Sequence, residues 1–331
     1  MDRYKPSLSL AFGLSFEDLY ERDGLVKIDG EFCRHLREAD AALADRLEAA
    51  RANPASLDRK QTSELLIAVA PHLEDFVGEL FAISTALDQM QKRHSKLAPI
   101  YNVKRKFVFK KALTGVKKED ADKIDGEAVA DELTRRFEER FSQDSYVRHV
   151  DLWMQDEAAN KENLELAAQY ARWAVLSEEG KKKYNHGLVF RLPRPLDPQK
   201  LVQLETLPIG VEDNGSAFVA PEHDLRNREG FGLTDQGMDL THALDHAHYC
   251  IKCHNQQKDS CATGLKEKDG SYKKTVFGIT LAGCPLEEKI SEMNTVKFNG
   301  YAVGALALIT VDNPMCAGTG HRICNDCMKA C

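Results

Sequence analysis

The sequence lacks several features that would each define a class of protein. It has no run of about 18 apolar residues, so no membrane-spanning helix is predicted. Acidic residues follow too closely on the first methionine for a secretory signal peptide, and we expect a cytoplasmic location. The net charge of −7, from 45 basic and 52 acidic residues, argues against a general nucleic-acid binder. These absences leave a cytoplasmic globular protein as the expected class.

Nucleotide loops and hydrolase sites are also missing. Gly230-Phe-Gly232 and Gly318-Thr-Gly320 do not complete a GxGxxG loop between a strand and a helix, so neither predicts a dinucleotide site. The sequence shows no credible arrangement of a hydrolase nucleophile with its base. We therefore expect no catalytic residues on this chain.

Cysteine is scarce in most of the chain and crowded at its end. The first 249 residues contain only Cys33, which we interpret as an ordinary buried thiol, whereas eight cysteines lie from Cys250 to Cys331. Thiols stay reduced in the cytosol, so a cluster of this kind predicts metal ligands rather than disulfides.

Residues 1–190 predict a helical domain of unknown role. Three apolar stripes recur at three- and four-residue steps, as expected for amphipathic helices. They comprise Leu73, Phe76, Val77, Leu80, Ile83, Leu87 and Met90; Val129, Leu133, Phe137 and Phe141; and Leu164, Ala167, Ala168, Ala171 and Val175. Proline suits the first turn of a helix, so Pro71 is expected to begin the first of these helices.

The remaining chain predicts two further regions. Residues 191–239 are rich in proline and glycine, which predicts an extended connector. Residues 240–331 contain short helical patterns at 240–247, 285–293 and 301–310, with a hairpin signal at Asp269-Gly270 inside a small insert. The overall prediction is a mainly α fold.

The cysteines follow two spacing patterns, Cys250-x2-Cys253-x7-Cys261-x22-Cys284-Pro285 and Cys316-x7-Cys324-x2-Cys327-x3-Cys331. Iron–sulfur clusters are held by four thiolates each, so eight cysteines would suffice for two clusters. A helix beginning at Pro285 would place its positive N-terminus near such an anionic group.

Four segments carry a resemblance to a known family. They are Cys250-Ile-Lys-Cys253, Gly283-Cys284-Pro285-Leu286 with Ile290 and Asn294, Asn313-Pro314, and Gly320-His-Arg-Ile-Cys324 followed by Cys327 and Cys331. They resemble the N-terminal iron–sulfur domain of the glutamate synthase small subunit, which also occurs in dihydropyrimidine dehydrogenase and related FAD-dependent NAD(P)H oxidoreductases. The resemblance covers about residues 240–331. It implies an α-helical ferredoxin-like domain with two [4Fe–4S] clusters, here with a small β-hairpin insert.

The same resemblance implies cofactors and partners. The first cluster would be held by Cys250, Cys253, Cys261 and Cys324. The second would be held by Cys284, Cys327 and Cys331, with either Cys316 or a residue beyond Cys331 as fourth ligand. FAD and NAD(P)H would bind to a following domain or partner subunit, and the clusters would relay electrons between the flavin and another redox centre. Because a free carboxyl-terminus beside an anionic cluster is unfavourable, we expect the chain to be a fragment or excised module.

This sequence departs from the family pattern at two points. A long insert separates Cys261 from Cys284, where the family has only a few residues. Cys316 lies where the family has no regular ligand. Both departures bear on the second cluster, whose fourth ligand the resemblance does not fix.

Other interpretations of the cysteines stay open. Two CxxC pairs, Cys250 with Cys253 and Cys324 with Cys327, match the ligands of a zinc site, which would make the chain a non-enzymatic zinc-stapled scaffold whose helical region binds a partner. Cys250-Ile-Lys-Cys253-His254 also matches a haem attachment motif, although that chemistry normally takes place outside the cytoplasm.

Two groups of polar residues have both a structural and a functional interpretation. His242 and His246 are spaced i and i+4 and therefore share a helix face. They are interpreted either as metal ligands or as part of the polar surface. Seven cations between Lys104 and Lys118 predict a solvated basic face, or a docking patch for an acidic partner or for another part of the same protein.

Overall fold

The computed structural model describes residues 10–184, 187–191, 205–208, 216–219, 230–232, 237–319 and 326–331. The described chain is mainly helical, as predicted. Its α-helices are α1 Arg22–Ala39, α2 Ala41–Ala52, α3 Arg59–Leu80, α4 Ser84–Asn102, α5 Lys118–Ala121, α6 Gly126–Phe137, α7 Gln143–Trp153, α8 Lys161–Leu176, α9 Glu178–Lys183, α10 Leu240–Tyr249, α11 Ser260–Thr263, α12 Ile290–Phe298, α13 Ala302–Asp312, α14 Cys316–Thr319 and α15 Asp326–Ala330.

Shorter elements connect these helices. A π-helical segment, Val103–Ala112, continues from α4, and 3₁₀ turns lie at Glu17–Leu19, Pro54–Ser56 and Cys253–Gln256. Strands β1, Glu205–Pro208, and β2, Ser216–Val219, form one antiparallel pair. Within the described ranges, no helix is both long and apolar enough to cross a bilayer.

Side-chain caps fix where several helices begin. Asp58 accepts a hydrogen bond from the Gln61 backbone N–H while the Gln61 side chain accepts one from the Asp58 backbone, which forms a capping box for α3. Asp239 caps α10 by accepting from the His242 N–H at 2.8 Å. The residues that follow are therefore held in helical geometry from their first turn.

The apolar side chains form three cores. The first surrounds Trp173 and Tyr170 of α8 and joins α6, α7 and the π-helical segment. The second packs α1 and α2 against α3 around Phe32 and Phe76. The third joins α3 to α12 and α13, with Ala70, Val296, Ala305 and Leu308 as its buried members. Residues from both ends of the sequence thus share the third core.

Two buried polar contacts also join the C-terminal helices to the N-terminal ones. Glu74 is buried, and its Oε2 accepts hydrogen bonds from the backbone N–H groups of Val303 and Gly304 at 2.7 and 2.9 Å. The carboxylate therefore satisfies the exposed donors at the start of α13. Lys104 is fully buried, and its Nζ lies 2.6 Å from Asp245 Oδ1 and 2.9 Å from the Tyr249 hydroxyl.

Several helix predictions agree with the structure and others do not. The stripe from Leu164 to Val175 lies on α8, and the patterns at 240–247 and 301–310 lie in α10 and α13. However, Pro71 lies inside α3 rather than at its start. The stripe that begins at Leu73 is divided between α3 and α4 by a left-handed turn with φ of 55° at Ala82.

The C-terminal region differs from its prediction in two places. The helix expected at Pro285 begins at Ile290, and Cys284-Pro285 lies in a turn. The insert at 265–281 contains two isolated antiparallel bridges, Lys266 with Tyr272 and Lys274 with Thr280, rather than a strand ladder. An isolated two-stranded hairpin is marginal in water, and the exposed Tyr272, Val276 and Phe277 show that little covers this one.

Candidate functional site

The structure places most of the predicted cysteine ligands in loops and short helices around α12. Cys253, Cys261 and Cys284 are buried, Cys250, Cys316 and Cys327 are half-buried, and Cys331 is exposed. The Cys284 backbone N–H donates to the Cys261 carbonyl at 2.8 Å, so their loops are paired. Cys324 lies outside the described residues, no disulfide joins the cysteines that the structure describes, and Cys33 is half-buried rather than buried as predicted.

Four of these thiols occupy one neighbourhood. Burial raises the pKa of the Cys261 thiol, and Asp259, Cys253 and Cys331 raise it further. Although Cys331 as a residue is exposed, partial desolvation of its thiol raises the pKa of that group, with added effects from Cys250 and Cys253. Cys331, which the resemblance assigned to the second cluster, therefore lies beside Cys250, Cys253 and Cys261 of the first.

Three of the thiols contact polar side chains. Cys250 Sγ lies 3.6 Å from Ser291 Oγ, Cys253 Sγ lies 3.7 Å from Ser260 Oγ, and Cys261 donates to Asp259 Oδ1 at 3.4 Å. Across the described ranges, no group of three or more histidine, cysteine or acidic side chains is arranged to hold a metal ion. With Cys324 outside those ranges, the ligand assignments stay predictions.

The histidines before Cys250 have different environments. His242 is largely exposed and its Nδ1 lies 2.8 Å from Asp239 Oδ1, so it belongs to the N-terminal turn of α10. His248 is buried between the rings of Tyr101 and Phe298, and neither of its ring nitrogens has a hydrogen-bond partner among the described residues. Burial, assisted by Arg105, lowers the pKa of His248 to about 4.

The basic stretch is divided between the interior and the surface. Its first cation, Lys104, is the buried partner of Asp245, and Lys111 and Lys118 pair with Glu157 and Glu178. Lys106 and Lys110 are exposed. At Lys104, the basic stretch thus serves as a contact with another part of the same chain.

The structure also forms a pocket that the sequence pattern did not indicate. It measures about 160 Å³ and lies between the first turns of α3, the loop before α11 and the start of α12. Its lining residues are Leu57, Arg59, Thr62, Ser63, His254, Gln257, Asp259, Ala262, Thr263, Glu287, Lys289 and Glu292. We call it the acidic pocket, because two of its most buried polar side chains, Asp259 and Glu292, are carboxylic acids.

Hydrogen bonds hold the deep side of the acidic pocket. Glu292 is fully buried, and its Oε1 accepts from the Ser63 hydroxyl at 2.5 Å. Ser291 Oγ lies 2.5 Å from Nδ1 of the buried His254. Burial and then the charge of Glu292 raise the pKa of Asp259 to about 6. No local sequence pattern could indicate this pocket, because the two residues that bond at its deep side, Ser63 and Glu292, are 229 positions apart.

A second cavity is an apolar groove. It measures about 340 Å³ and is walled by α1, α2, α3 and α13. Its lining residues are Leu25, Ile28, Asp29, Phe32, Leu47, Arg51, Leu66, Val69, Ala70, Leu73, Phe76, Gly304, Ala307, Leu308 and Val311. The two charged side chains in this lining pair with each other, since Arg51 Nη2 lies 2.9 Å from Asp29 Oδ1. At the rim, Leu25 is 53% and Val311 71% exposed.

Comparisons with known proteins identify a family. The model of the RP005 N-terminal alpha-helical domain matches residues 10–82, which contain α1, α2 and α3. The uncharacterized protein RP005 of Rickettsia prowazekii (strain Madrid E) is 31% identical over 310 residues, which are 88% of this chain and 98% of that protein. The chain therefore belongs to the RP005 family. No solved structure matches it.

These findings correct the resemblance drawn from the cysteine motifs. The interpretation as a glutamate synthase or dihydropyrimidine dehydrogenase type iron–sulfur domain is wrong, because the matching family is a helical one with no iron–sulfur relative among the matches. The assignment as an iron–sulfur, metal-binding oxidoreductase is wrong with it. Short CxxC and Cys-Pro motifs occur in many contexts, and the long insert after Cys261 was the departure that counted against the match. The cluster, FAD and NAD(P)H expectations rested on that resemblance and stay predictions.

Proposed function

We propose that this member of the RP005 family is a partner-binding scaffold, and that its apolar groove receives an amphipathic α-helix of a partner protein. The observation that carries the proposal is the groove itself, an apolar cavity of about 340 Å³ lined by residues of four helices. Grooves of this form bind helices whose apolar residues recur at i, i+4 and i+7.

The exposed rim supports a proteinaceous occupant. Leu25 of α1 and Val311 of α13 line the groove and are more than half exposed, and Val26 and Leu306, which lie on the same two helices outside the lining, are 64% and 54% exposed. Apart from its last residue, Asp312, α13 contains no charged side chain, although a helix that is apolar on most sides is normally covered. An occupant that covers the rim on α1 and α13 would remove Leu25 and Val311 from water.

The charged pair in the groove argues against a fatty acid as the occupant. A carboxylate ligand requires a cation with unused donors, whereas the Arg51 guanidinium is already bonded to both carboxylate oxygens of Asp29 at 2.9 and 3.0 Å. The proposed ligand therefore presents an apolar helix face rather than an acyl chain with a charged end.

The proposal keeps the expected cytoplasmic setting and assigns no cofactor. This proposal keeps one part of the zinc-stapled scaffold hypothesis, namely that the helical region binds a partner.

Peptide binding tests the proposal directly. The probe is a fluorescein-labelled synthetic helix with a leucine stripe at i, i+4 and i+7, titrated with the full chain and followed by fluorescence anisotropy. We expect saturable binding, and we expect Leu25→Lys and Val311→Lys each to weaken it at least about tenfold, which is 1.4 kcal/mol. Leu152→Lys is the matched control, because Leu152 is 59% exposed on α7 and lies outside the groove lining.

Three outcomes would contradict the proposal. One is equal binding of a peptide with the same composition but a scrambled stripe. Another is unchanged affinity in both rim variants. The third is displacement of the peptide by palmitate at stoichiometric concentration, which would assign the groove to an acyl ligand.

A further inference from the structure

The acidic pocket contains an uncompensated buried acceptor. Glu292 is fully buried, and while its Oε1 accepts from Ser63, its Oε2 has no hydrogen-bond partner among the described residues. A buried carboxylate oxygen without a donor costs free energy unless a ligand or water satisfies it. Unlike a surface cluster of acids, this pocket therefore has a specific atom that requires a donor.

The cations of the pocket lining are paired with other groups. Lys289 Nζ lies 3.3 Å from Asp312 Oδ2 and donates to the Glu287 carbonyl at 2.8 Å. The Arg59 guanidinium lies 3.7 Å from the exposed Glu287 carboxylate. Neither cation has an ion-pair contact with Glu292 or Asp259 among the described residues, although both act on Asp259 through space. Three carboxylates, those of Asp259, Glu287 and Glu292, thus line the pocket against two cations that are engaged elsewhere.

We propose that the acidic pocket binds a small aliphatic amine through its primary ammonium group, with Glu292 Oε2 and the Asp259 carboxylate as the acceptors. An ammonium group carries three donors and a positive charge, which match these two acidic side chains. The hydroxyls of Thr62 and Ser63 and the amide of Gln257 add polar atoms to the lining. This inference concerns a different cavity from the apolar groove and does not depend on the proposed function.

The volume limits the ligand. At about 160 Å³, the pocket offers the space of roughly five water molecules at their liquid volume of about 30 Å³ each. It is smaller than the cavities that enclose drug-sized ligands, which begin near 300 Å³. A short alkyl amine fits this space, whereas a nucleotide or a peptide segment does not.

Calorimetric titration of the full chain with putrescine tests the inference. We expect saturable binding with a Kd of about 1 mM or tighter, and no saturable binding of butane-1,4-diol, which has the same length without the charge. Glu292→Gln keeps the shape and the acceptor for Ser63 but removes the charge, so we expect at least about tenfold weaker putrescine binding. Glu267→Gln is the matched control, since Glu267 is exposed and lies outside the pocket lining.

A second variant keeps the test decisive if Glu292→Gln fails to fold. Asp259→Asn removes the other charge at a partly separate position, and we expect it also to weaken putrescine binding about tenfold while far-UV circular dichroism stays unchanged. The inference is overturned if putrescine shows no saturation by about 20 mM, if the diol binds equally well, or if folded Glu292→Gln or Asp259→Asn binds putrescine like the unaltered chain.

Discussion

The buried ion pair between Lys104 and Asp245 gives a quantitative prediction about how α10 is held against the π-helical segment Val103–Ala112. Lys104 has no exposed side-chain surface and Asp245 has 15%, and their charged atoms are 2.6 Å apart. Removal of one member of a buried pair leaves the other charge desolvated without its partner, which costs about 3–5 kcal/mol. Because Asp245 is slightly exposed, we expect Asp245→Ala to lower the free energy of unfolding by about 3 kcal/mol.

Urea denaturation of the full chain, followed by far-UV circular dichroism, measures this loss. Lys106→Met is the control, since Lys106 is exposed two positions away and should change stability by less than about 0.5 kcal/mol. The double replacement Lys104→Met with Asp245→Leu removes both charges, and we expect it to recover at least half of the loss. The reasoning would be refuted if Asp245→Ala matched the control, or if the double replacement were less stable than Asp245→Ala.

Four other substitutions probe packing, capping and pH dependence. Gly126→Ala should lower the free energy of unfolding measured in urea by about 1–3 kcal/mol, because the added Cβ would lie 2.1 Å from the Trp173 ring. At Gly30 an added Cβ would have nothing within 4 Å, so Gly30→Ala should stabilise α1 by about 0.5–1 kcal/mol. Glu74→Ala should lower the free energy of unfolding by about 2–3 kcal/mol, because it leaves the backbone N–H groups of Val303 and Gly304 at the start of α13 without an acceptor. A loss below about 0.5 kcal/mol in urea denaturation would contradict that role. Burial lowers the pKa of His94, so the folded state takes up its proton less readily than the unfolded state, and stability should fall as pH drops below about 6.5. Urea titrations from pH 7.5 to about 5 should show a shallower fall in His94→Asn, and equal slopes would refute the assignment.

Local sequence pattern was sufficient where a helix buries one regular face. Leu164, Ala167 and Ala171 lie at helical spacing, and all three are buried in the first core, as the stripe predicted. Likewise, Ser177 precedes two acidic residues and caps α9 by accepting from the Gly180 N–H at 2.9 Å. Such features depend only on residues within one or two turns of one another.

Prediction failed where tertiary contacts decide. Pro71 should begin a helix by its local preference, yet α3 continues through it while Ala70 packs against α13 in the third core. The Cys284-Pro285 dipeptide has a helix-start signal, but the chain turns there and delays α12 until Ile290. Propensity is a weak prior that packing overrides.

The candidate sites were unpredictable for a related reason. The acidic pocket requires contact between Ser63 and Glu292, and the apolar groove is lined by both Leu25 and Val311, so each cavity joins distant parts of the sequence. The cysteine motifs, in contrast, were conspicuous because they are local, and their family assignment was wrong. Short spacing patterns identify residues that lie close together, but they do not determine which family or chemistry those residues belong to.

The path of α3 explains why one helix contributes to both cavities. Its first turns supply Thr62 and Ser63 to the acidic pocket, and its middle turns supply Leu66, Val69 and Leu73 to the groove. Since α12 and α13 close these cavities from the other side, the helices matched by the family model complete neither cavity alone. The predicted boundary between residues 1–190 and 240–331 stays a prediction, but the third core and the Glu74 and Lys104 contacts cross it. Any function of either cavity therefore requires the C-terminal helices to be docked on α3.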